Sequence, residues 1–408
     1  MKAMQNRERE SAGQHQGAAM KKGWQTKTLG EVCEFDKAQG IHRGLPYVGL
    51  EHIESHTARF IGSSEPQPVK SSTFRFSDKH VLYGRLRPYL NKALAPDFDG
   101  HCSTEIFPLK PRPELSREYL LFWLLADASC DRINATCTGA RMPRAQMNDV
   151  LEIEIPVPPL AEQQRIVGLL DEAFESLATA KANAEKNLQN ARALFESHLQ
   201  SVFTQRGLGW VEKRLEDVCV IGDGNHSSNY PKKEELVAKG VPFIRSTNLV
   251  DGEISDEDMR FLSPEKHAQL KKGHLKTGDI LFTNRGEIGK TAIVDAGHEG
   301  SNLNSQIAWL RCSETLNNRF LFHVLNSGAI KSHLELSKNG AALQQFTIRQ
   351  IKELKIPIPP KDQQRALVVS LDGLSSETQR LARLYERKLV ALEALKRSLL
   401  HQAFSGEL

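Results

Sequence analysis

The sequence predicts an α+β chain in which two tandem α/β domains alternate with two long helices that form an antiparallel coiled coil, giving an internal pseudo-two-fold repeat. Three observations predict this class. The segment IPVPPLAEQQRIV at 155–167 recurs as IPIPPKDQQRALV at 356–368. A long proline-free stretch with heptad spacing follows each copy. Short β-like runs between Gly, Pro and Asn turns precede each copy, as is typical of compact α/β domains.

The repeat extends through the whole chain. Further segments recur in one order and at nearly constant offsets, which chance does not produce. They are LGEVC (29–33) with LEDVC (215–219), PYVGLEHI (46–53) with PFIRSTNL (242–249), STEIFPLK (103–110) with NSQIAWLR (304–311), YLLFWLL (119–125) with FLFHVLN (320–326), and TGARM (138–142) with NGAAL (339–343).

The repeat and the double prolines set the predicted boundaries, because proline ends regular structure and favours an extended chain before it. Residues 1–22 are polar and predict a disordered leader. The remaining segments are an α/β domain at 23–160, a central helix at 161–207, a second α/β domain at 208–360 and a C-terminal helix at 361–408.

Each long helix carries apolar residues at alternating steps of three and four, which indicates a coiled-coil seam. The alternative is that each helix packs on its own domain. About 40 helical residues span about 60 Å, so antiparallel pairing would place the domains at opposite ends of a rod, related by a rotation near 180°. The predicted seam residues are Ile166, Leu170, Ala173, Leu177, Ala180, Ala184, Asn187, Ala191, Leu194 and His198, then Leu367, Leu371, Leu374, Thr378, Leu381, Tyr385, Lys388, Leu392, Leu395 and Leu399.

Composition excludes several classes. No apolar run approaches the length of about 20 residues that a membrane span needs, and the polar start of the chain is not a secretory signal. The six cysteines form no CxxC pair, so neither a zinc ribbon nor a disulfide framework is supported, and we expect a reduced, cytoplasmic protein. The net charge is +4, but residues 1–22 hold five basic against two acidic residues, so charge alone does not indicate DNA binding.

The stretch NRGEIGKT at 284–291 raises the possibility of a nucleotide-hydrolysing enzyme. The motif GxxxxGK[ST] needs glycine where Asn284 stands, and the first copy, GRLRPYLNKAL at 84–94, has no glycine loop. The repeat places Lys290 over Lys92. We therefore expect both lysines on surface turns between strands, not in a phosphate-binding loop.

Two unequal domains on a rigid spacer suit a long, regular ligand. On double-stranded DNA, half-sites lie on one face only at multiples of about 34 Å, so a rod longer than one helical turn could connect two separated sequences. Because the domains differ in sequence, the two half-sites should differ as well. A protein–protein adaptor with two heads and no DNA specificity is the alternative.

Several motifs of the sequence resemble those of a known family, the specificity subunits of type I restriction–modification enzymes. The paired IPxPP junctions carry the resemblance, together with GRLRPYLNKA, DGNHSSNY (223–230), GDILFTNRGEIGKTAIV (278–294) and LLHQAFSGEL (399–408). It covers the chain from about residue 23 to the end.

The resemblance implies two target-recognition domains that each read one half of a bipartite, asymmetric DNA site. The helices would set the spacer and dock two copies of a DNA methyltransferase (modification) subunit, and restriction and translocase subunits would join the complex. It also implies that the chain is not itself an enzyme and holds no cofactor. S-adenosylmethionine, ATP and Mg2+ would be used by the partner subunits in adenine methylation and ATP-dependent cleavage.

Polar residues on the repeated turns are the candidate DNA contacts, because arginine and lysine bind guanine edges and phosphates, while asparagine and glutamine suit adenine. For each the alternative is a solvated loop residue or one that fixes the turn. The candidates are Arg85, Arg87, Asn91, Lys92, Arg141 and Arg144 in the first domain, and His226, Ser227, Ser228, Tyr230, Asn284, Arg285, Lys290, Gln344 and Gln345 in the second.

Overall fold

The structure, a computed structural model, describes residues 23–67, 69–226, 230–338 and 345–408, without the side chains of 337 and 338. The predicted leader at 1–22 lies outside these residues. The chain divides into two compact units, of which the first is the described part of Met1–Glu185 with Arg387–Leu408 and the second is Lys186–Glu386. Each unit therefore contains one α/β domain and a part of both long helices.

The strands and helices of the first unit follow the predicted mixture of short strands and turns. They are β1 (Gln25–Thr28), α1 (Leu29–Val32), β2 (Cys33–Phe35), β3 (Gln39–Gly40), β4 (Tyr47–Val48), β5 (Thr73–Phe76), β6 (Val81–Gly84), β7 (Ala93–Leu94), β8 (Gly100–Cys102), β9 (Ile106–Pro111), α2 (Arg117–Leu125), α3 (Asp127–Ala135), α4 (Met147–Leu151), β10 (Glu154–Val157) and the long helix α5 (Leu160–Thr204), which continues into the second unit.

The second unit repeats this order with extra short strands. Its elements are β11 (Val211–Arg214), β12 (Cys219–Asp223), β13 (Leu236–Val237), β14 (Val241–Ile244), β15 (Leu249–Val250), β16 (Glu253–Ile254), β17 (Arg260–Leu262), α6 (Pro264–Gln269), β18 (Ile280–Thr283), β19 (Thr291–Ile293), β20 (Asn302–Leu303), β21 (Ile307–Cys312), α7 (Asn318–Leu325), α8 (Gly328–Lys338), α9 (Ile348–Glu353), β22 (Lys355–Ile358) and the long helix α10 (Lys361–Ser405), which extends into the first unit.

One four-stranded sheet is the same in both domains, with strand order β2–β9–β6–β7 in the first and β12–β21–β18–β19 in the second. Its central strands are buried on both faces. Val81 and Tyr83 face the helical core cluster, whereas Leu82 faces a second sheet, as the two-residue period of a strand requires. Each domain is therefore layered as helices, sheet and sheet.

The second sheet differs between the domains. Its order is β3–β5–β8–β4 in the first domain and β13–β17–β14–β20 in the second. A parallel pair is common to both, β4 with β8 and β14 with β20. The remaining strands pair differently, so the domains share one sheet and diverge in the other.

The double-proline junctions are held by a buried glutamine. In the first unit the Gln163 amide donates to the carbonyl oxygens of Glu114 and Pro158, both at 2.8 Å, and accepts from the Ser116 N–H at 2.7 Å. Gln364 makes the equivalent bonds to Thr315, Pro359 and Asn317. This repeated glutamine, the first of QQR at 163–165 and the second of QQR at 363–365, thus ties the start of each long helix to its own domain.

The predicted antiparallel pairing of the long helices is confirmed within each unit. In the first unit Lys181 Nζ lies 2.7 Å from Glu393 Oε1, and the Arg165 guanidinium donates to the Leu408 carbonyl. In the second unit Arg192 Nη2 lies 2.8 Å from Glu386 Oε1. Both helices contain 45 residues and correspond at an offset of 201.

The predicted coiled coil and its alternative, packing of the helices on the domains, are both partly correct, because the ends of the helices also pack on the domains. Ile166, Leu170, Leu400 and Ala403 belong to the helical core cluster of the first domain. Leu199, Phe203 and Leu371 join the corresponding cluster of the second domain. Each domain core therefore receives the start of the helix that follows it and the end of the other helix.

The predicted seam is wrong at four positions. Asn187, Leu194, Lys388 and Leu395 are exposed. The residues that turn inward are instead Leu188, Phe195, Leu389 and Lys396, one position later in each case. The other predicted positions beyond this point, Ala191, His198, Leu392 and Leu399, still turn inward, so only one side of the stripe shifts. Such a shift is expected where a straight helix of 3.6 residues per turn drifts against a strict seven-residue repeat.

No helix in the described part of the chain is both long enough and apolar enough to span a bilayer.

Candidate nucleic-acid interface

Two turns of the first domain lie side by side and bring together most of the candidate arginines. The first turn, 85–92, connects β6 to β7, and the second, 138–144, precedes α4. The Arg87 N–H donates to the Pro143 carbonyl at 2.8 Å, and the Ala145 N–H donates to the Arg85 carbonyl at 2.9 Å. Within the second turn, Thr138 and Arg144 exchange backbone hydrogen bonds at 3.1 Å. Arg85, Arg87, Arg141 and Arg144 therefore lie on two adjacent turns.

Arg144 is held by a carboxylate on the neighbouring strand end. Its Nε lies 3.0 and 3.1 Å from the two carboxylate oxygens of Glu105, and its Nη2 lies 3.0 Å from Glu105 Oε1. Both side chains are partly exposed, at 37% and 29%. A guanidinium fixed in this way still has donors to offer on its free edge, which is the arrangement that orients an arginine toward a planar acceptor.

The other arginines of these two turns differ in freedom. The Arg85 guanidinium carbon lies 5.2 Å from the centre of the Phe107 ring. Its Nε is buried and has no hydrogen-bond partner among the residues that the structure describes. Arg87 and Arg141 are exposed, and Arg87 has a left-handed backbone (φ 51°). Arg87 and Arg141 are therefore accessible to anionic ligands, whereas Arg85 is half-buried.

Two candidates of the first domain are not placed for such contacts. Asn91 is fully buried, and its amide donates to the Leu125 carbonyl at 3.1 Å. Lys92 is half-buried, and its Nζ donates to the Leu50 carbonyl at 2.5 Å. The reason is the turn itself, which at Asn91 has a left-handed backbone (φ 41°) and directs these polar groups inward, where they satisfy carbonyl groups.

The second domain builds the same pair of turns with different side chains. The turn 284–290 connects β18 to β19, and the Phe346 N–H donates to the Asn284 carbonyl at 2.9 Å. Arg285 pairs with Gln345 as Leu86 pairs with Arg144. The ladder therefore equates Gln345 with Arg144, as the sequence repeat predicts. Gln344 lies outside the described residues.

The prediction that Lys290 matches Lys92 is confirmed. Thr283 N–H donates to the Lys290 carbonyl and Gly84 N–H donates to the Lys92 carbonyl, both at 2.9 Å. Lys290 Nζ lies 2.8 Å from Glu287 Oε2, and both groups are on the turn. The segment leads into strand β19, whereas a phosphate-binding loop leads into a helix. The GKT stretch is a hairpin turn.

The arginines of the two turns are not equivalent. Matching main-chain hydrogen bonds place Asn284 at the position of Arg85 and Arg285 at the position of Leu86, and the turn of the second domain is one residue shorter. Successive residues of an extended chain point to opposite faces. Arg285, one position after Asn284, therefore lies on the face opposite to that of Arg85. Asn284 is 3% exposed and its Oδ1 has no partner in the described part of the chain, while Arg285 is half-buried.

The residues that were missed lie between these turns and the sheet. Glu105 and Gln306 occupy one position, since their carbonyl groups accept from the Arg85 and Asn284 N–H groups at 2.9 Å. Gln306 is exposed, and its Oε1 accepts from Asn304 Nδ2 at 3.2 Å. The sequence repeat aligns STEIF with NSQIA and so places Glu105 opposite Gln306. This alignment is the feature of the sequence that could have identified both residues as candidates.

His226 and Tyr230 follow strand β12, whose last residue, Asp223, pairs with Ala308 at the start of β21. His226 Nε2 is 2.7 Å and Lys272 Nζ is 2.9 Å from the Asp223 carboxylate. Burial raises the pKa of Asp223, but these two hydrogen bonds outweigh burial and leave the pKa below its ordinary value. Tyr230 is exposed and meets the Phe243 ring edge-on at 5.9 Å. Ser227 and Ser228 lie outside the described residues.

The first domain thus presents arginines on its paired turns, and the second presents exposed amides, Gln306 and Gln345. Guanidinium and amide groups are the side chains that bind guanine and adenine edges, respectively, with two hydrogen bonds. Among the described residues no group of three or more His, Cys, Asp or Glu could hold a metal ion.

Comparisons with known proteins show which family the chain is similar to. The E. coli EcoDI type I restriction enzyme specificity subunit is 29% identical over 186 residues, which cover 45% of this chain and 40% of that protein. The E. coli EcoBI specificity subunit is 24% identical over 300 residues, 68% of this chain and 63% of that protein. The chain therefore spans less than two thirds of the length of these two relatives.

A solved structure described as showing complex assembly and conformational transition of the type I R-M system has the same fold, with a TM-score of 0.79 at 24% identity, over 96% of this chain and all of that one. The model of the type I restriction modification DNA specificity domain matches twice, at residues 21–188 and 208–386. The two matches cover most of the sequence, so the chain belongs to the family of type I restriction–modification specificity subunits.

Proposed function

We propose that this chain is the sequence-specific DNA-recognition and scaffold subunit of a type I restriction–modification complex. Its domains at 23–160 and 208–360 act as target-recognition domains, and each reads one half of a bipartite, asymmetric DNA site. The observation that carries this proposal is the pair of turns that both domains share, with Glu105 and Arg144 in one and Gln306 and Gln345 in the other. A shared backbone with different base-binding groups suits two different half-sites.

The long helices at 161–207 and 361–408 set the spacer and dock two copies of a DNA methyltransferase subunit, to which restriction and translocase subunits add. The chain itself is not catalytic and works in the cytoplasm. S-adenosylmethionine, ATP and Mg2+ are used by the partner subunits. The names of the relatives, type I restriction enzyme specificity subunits, support this assignment.

Co-expression with the matching modification subunit, followed by sequencing of methylated adenines genome-wide, tests the proposal. We expect one split motif with two different halves, absent when this chain is omitted. A continuous motif, or methylation that is independent of the chain, would contradict it.

The assembled complex should also bind DNA with a steep salt dependence, because each phosphate contact releases a counterion. Binding of peptides without any affinity for DNA would instead favour a two-headed protein–protein adaptor.

A further inference from the structure

Two cysteines of the second domain lie in contact although 92 residues separate them in sequence. Cys219 begins β12 and Cys312 ends β21, and they are direct partners in the antiparallel pair. Their sulfur atoms are 3.9 Å apart, and both are free thiols. Sequence spacing gave no sign of this pair, because only the strand register brings the residues together.

The geometry of the strands favours a covalent bond between them. The Ser313 N–H donates to the Val218 carbonyl at 2.8 Å, so the adjacent pair, Cys219 and Cys312, occupies a position without strand hydrogen bonds. At such positions the Cα atoms approach to about 4.5 Å, which lies within the range of disulfide bonds, about 4.4–6.8 Å. Rotation about the side-chain bonds is then enough to join the sulfur atoms.

Exposure decides which sulfur an oxidant meets first. Cys312 is partly exposed, whereas Cys219 is buried. The hydrogen bond with the Cys312 sulfur and burial both raise the pKa of Cys219, which disfavours its thiolate. Cys312 is therefore placed to react first with an oxidant, and Cys219, on the facing strand, is placed to react with the oxidised Cys312.

The first domain lacks the pair. Cys33 occupies the position of Cys219, with the Arg112 N–H donating to the Val32 carbonyl at 2.8 Å as in the second domain. The residue that faces Cys33 is Pro111. The two domains therefore share the backbone geometry, but only the second has both sulfur atoms.

We propose that Cys219 and Cys312 form a reversible cross-strand disulfide when the protein meets a small-molecule disulfide oxidant. The Cys312 sulfur, after loss of its proton, attacks one sulfur of the oxidant and expels one thiolate. The Cys219 sulfur then loses its proton and attacks Cys312, forming the bond between the cysteines and releasing the second thiolate. Two electrons pass from the protein to the oxidant, and two protons leave the cysteines.

The bond would close a long loop that contains most of the second domain, and cross-links of long loops restrict the unfolded chain most. It lies where β12 begins and β21 ends, whereas His226 and Gln306 follow and precede the opposite ends of these strands. Oxidation should therefore stabilise the second domain without changing the candidate nucleic-acid surface.

The test uses the reduced full-length chain treated with oxidised glutathione, alkylated, digested without reduction and analysed by mass spectrometry. We expect one cross-linked peptide pair joining Cys219 to Cys312, lost in Cys312→Ser and in Cys219→Ser and kept in the control Cys130→Ser. Thermal unfolding of the second unit should shift upward by roughly 5–15 °C, and dithiothreitol should reverse the shift.

A gain-of-function variant makes the test independent of any folding defect in the serine variants. In Pro111→Cys, the first domain gains a sulfur opposite Cys33, and we expect a second cross-linked pair under the same treatment. The proposal is overturned if wild-type Cys219 and Cys312 end as separate glutathione adducts, remain unmodified after prolonged oxidation, or cross-link to other cysteines.

Discussion

Glu105 and Gln306 take the same place in two similar domains, yet Glu105 holds an arginine, whereas Gln306 accepts from the Asn304 amide. With Glu105, Arg144 is fixed as a cation that suits guanine or phosphate. In the second domain Gln345 stands at the position of Arg144 and is a neutral side chain that suits adenine. These two positions are therefore where we expect the half-sites to be distinguished.

Replacing Arg144 by Gln tests this point. Loss of a bidentate base contact costs about 1–3 kcal/mol, so the complex should bind its DNA roughly 5–150-fold more weakly, with relaxed preference in one half-site only. The measurement is a binding titration on a set of DNA duplexes with single base-pair changes.

Arg112→Gln is the matched control. Glu105, the partner of Arg144, precedes strand β9, and Arg112 follows the other end of that strand, where its guanidinium lies 3.7 Å from the Glu34 carboxylate. This variant should leave binding unchanged. If Arg144→Gln weakens all sequences equally and lowers the salt dependence, Arg144 contacts phosphate. If both variants bind like the wild type, the turn is not part of the interface.

The sequence could predict the turns but not which of their polar side chains face outward. Asn91 and Lys92 stand beside Arg87 in an apparently polar turn, and both are used inside the domain to satisfy carbonyl groups. Their direction depends on a left-handed backbone at Asn91 and on the position of Leu50, more than 40 residues away in sequence. Neither can be read from local composition.

At the scale of the element, the start of each long helix depends on one glutamine. Gln163 is fully buried with three hydrogen bonds, whereas its neighbour Gln164 is exposed. Gln163→Ala leaves buried carbonyl and N–H groups without partners, so the free energy of unfolding of the first unit should fall by about 2–4 kcal/mol. Chemical denaturation measures the loss, and Gln164→Ala should show almost none.

A second element, the junction of α7 with α10, makes the second unit sensitive to acid. Asp372 accepts hydrogen bonds from His323 at 2.7 Å and from Arg319 at 2.6 and 2.8 Å. Burial raises the pKa of Asp372, but these donors outweigh it and the pKa is lowered. Burial also lowers the pKa of His323, despite the hydrogen bond with Asp372.

Both shifts have the same sign for stability, since the folded state binds fewer protons than the unfolded chain. The contribution of His323 to the free energy of unfolding is complete above pH 6.5, which is the ordinary pKa of histidine. This contribution is lost as the pH falls through the lower pKa of the folded state. That of Asp372 is lost further down, below 3.8. Hydrogen exchange of α7 peptides, measured at each pH for the wild type and for His323→Phe, tests this. Below pH 6.5 the wild type should lose protection against exchange before the variant does.

The first unit supplies the matched comparison. Phe122, Glu118 and Asp171 stand where the second unit has His323, Arg319 and Asp372. Burial and the neighbouring Glu118 raise the pKa of Asp171, so at neutral pH its charge opposes folding. Asp171→Asn should leave the first unit equally or slightly more stable, whereas Asp372→Asn should destabilise the second by about 1–3 kcal/mol. Equal effects in both units would contradict this account.

For the whole molecule, the sequence repeat was sufficient to predict two α/β domains, the antiparallel helix pairing and the alignment of Lys290 with Lys92. It was insufficient where two equivalent segments pair differently in the tertiary structure, as in the second sheets, or where one side of a helix seam shifts by one residue. The shift to Leu188 and Leu389 is not marked by a proline or glycine next to it. Only burial distinguishes these residues from Asn187 and Lys388.

The proposed role of the helices as a spacer leads to a prediction about the recognised DNA. Twenty-one residues (three heptads) inserted after Gln189 in α5 and twenty-one after Val390 in α10 keep the heptad phase and lengthen each helix by about 31.5 Å. This is nearly one turn of DNA, about 34 Å, so both half-sites stay close to one face. Since base pairs rise by about 3.4 Å, the methylated motif should keep both half-sites while its gap grows by about nine base pairs.

Genome-wide methylation mapping of the lengthened variant reads the gap directly. The control inserts the same residues into α5 alone, which removes the register between the helices and should abolish methylation. A lengthened variant that methylates the original motif would show that the gap is set elsewhere, for example by the partner subunits. If instead one half-site changes sequence, the insertion has altered a domain, and the spacer role fails because the two functions are not separate in the chain.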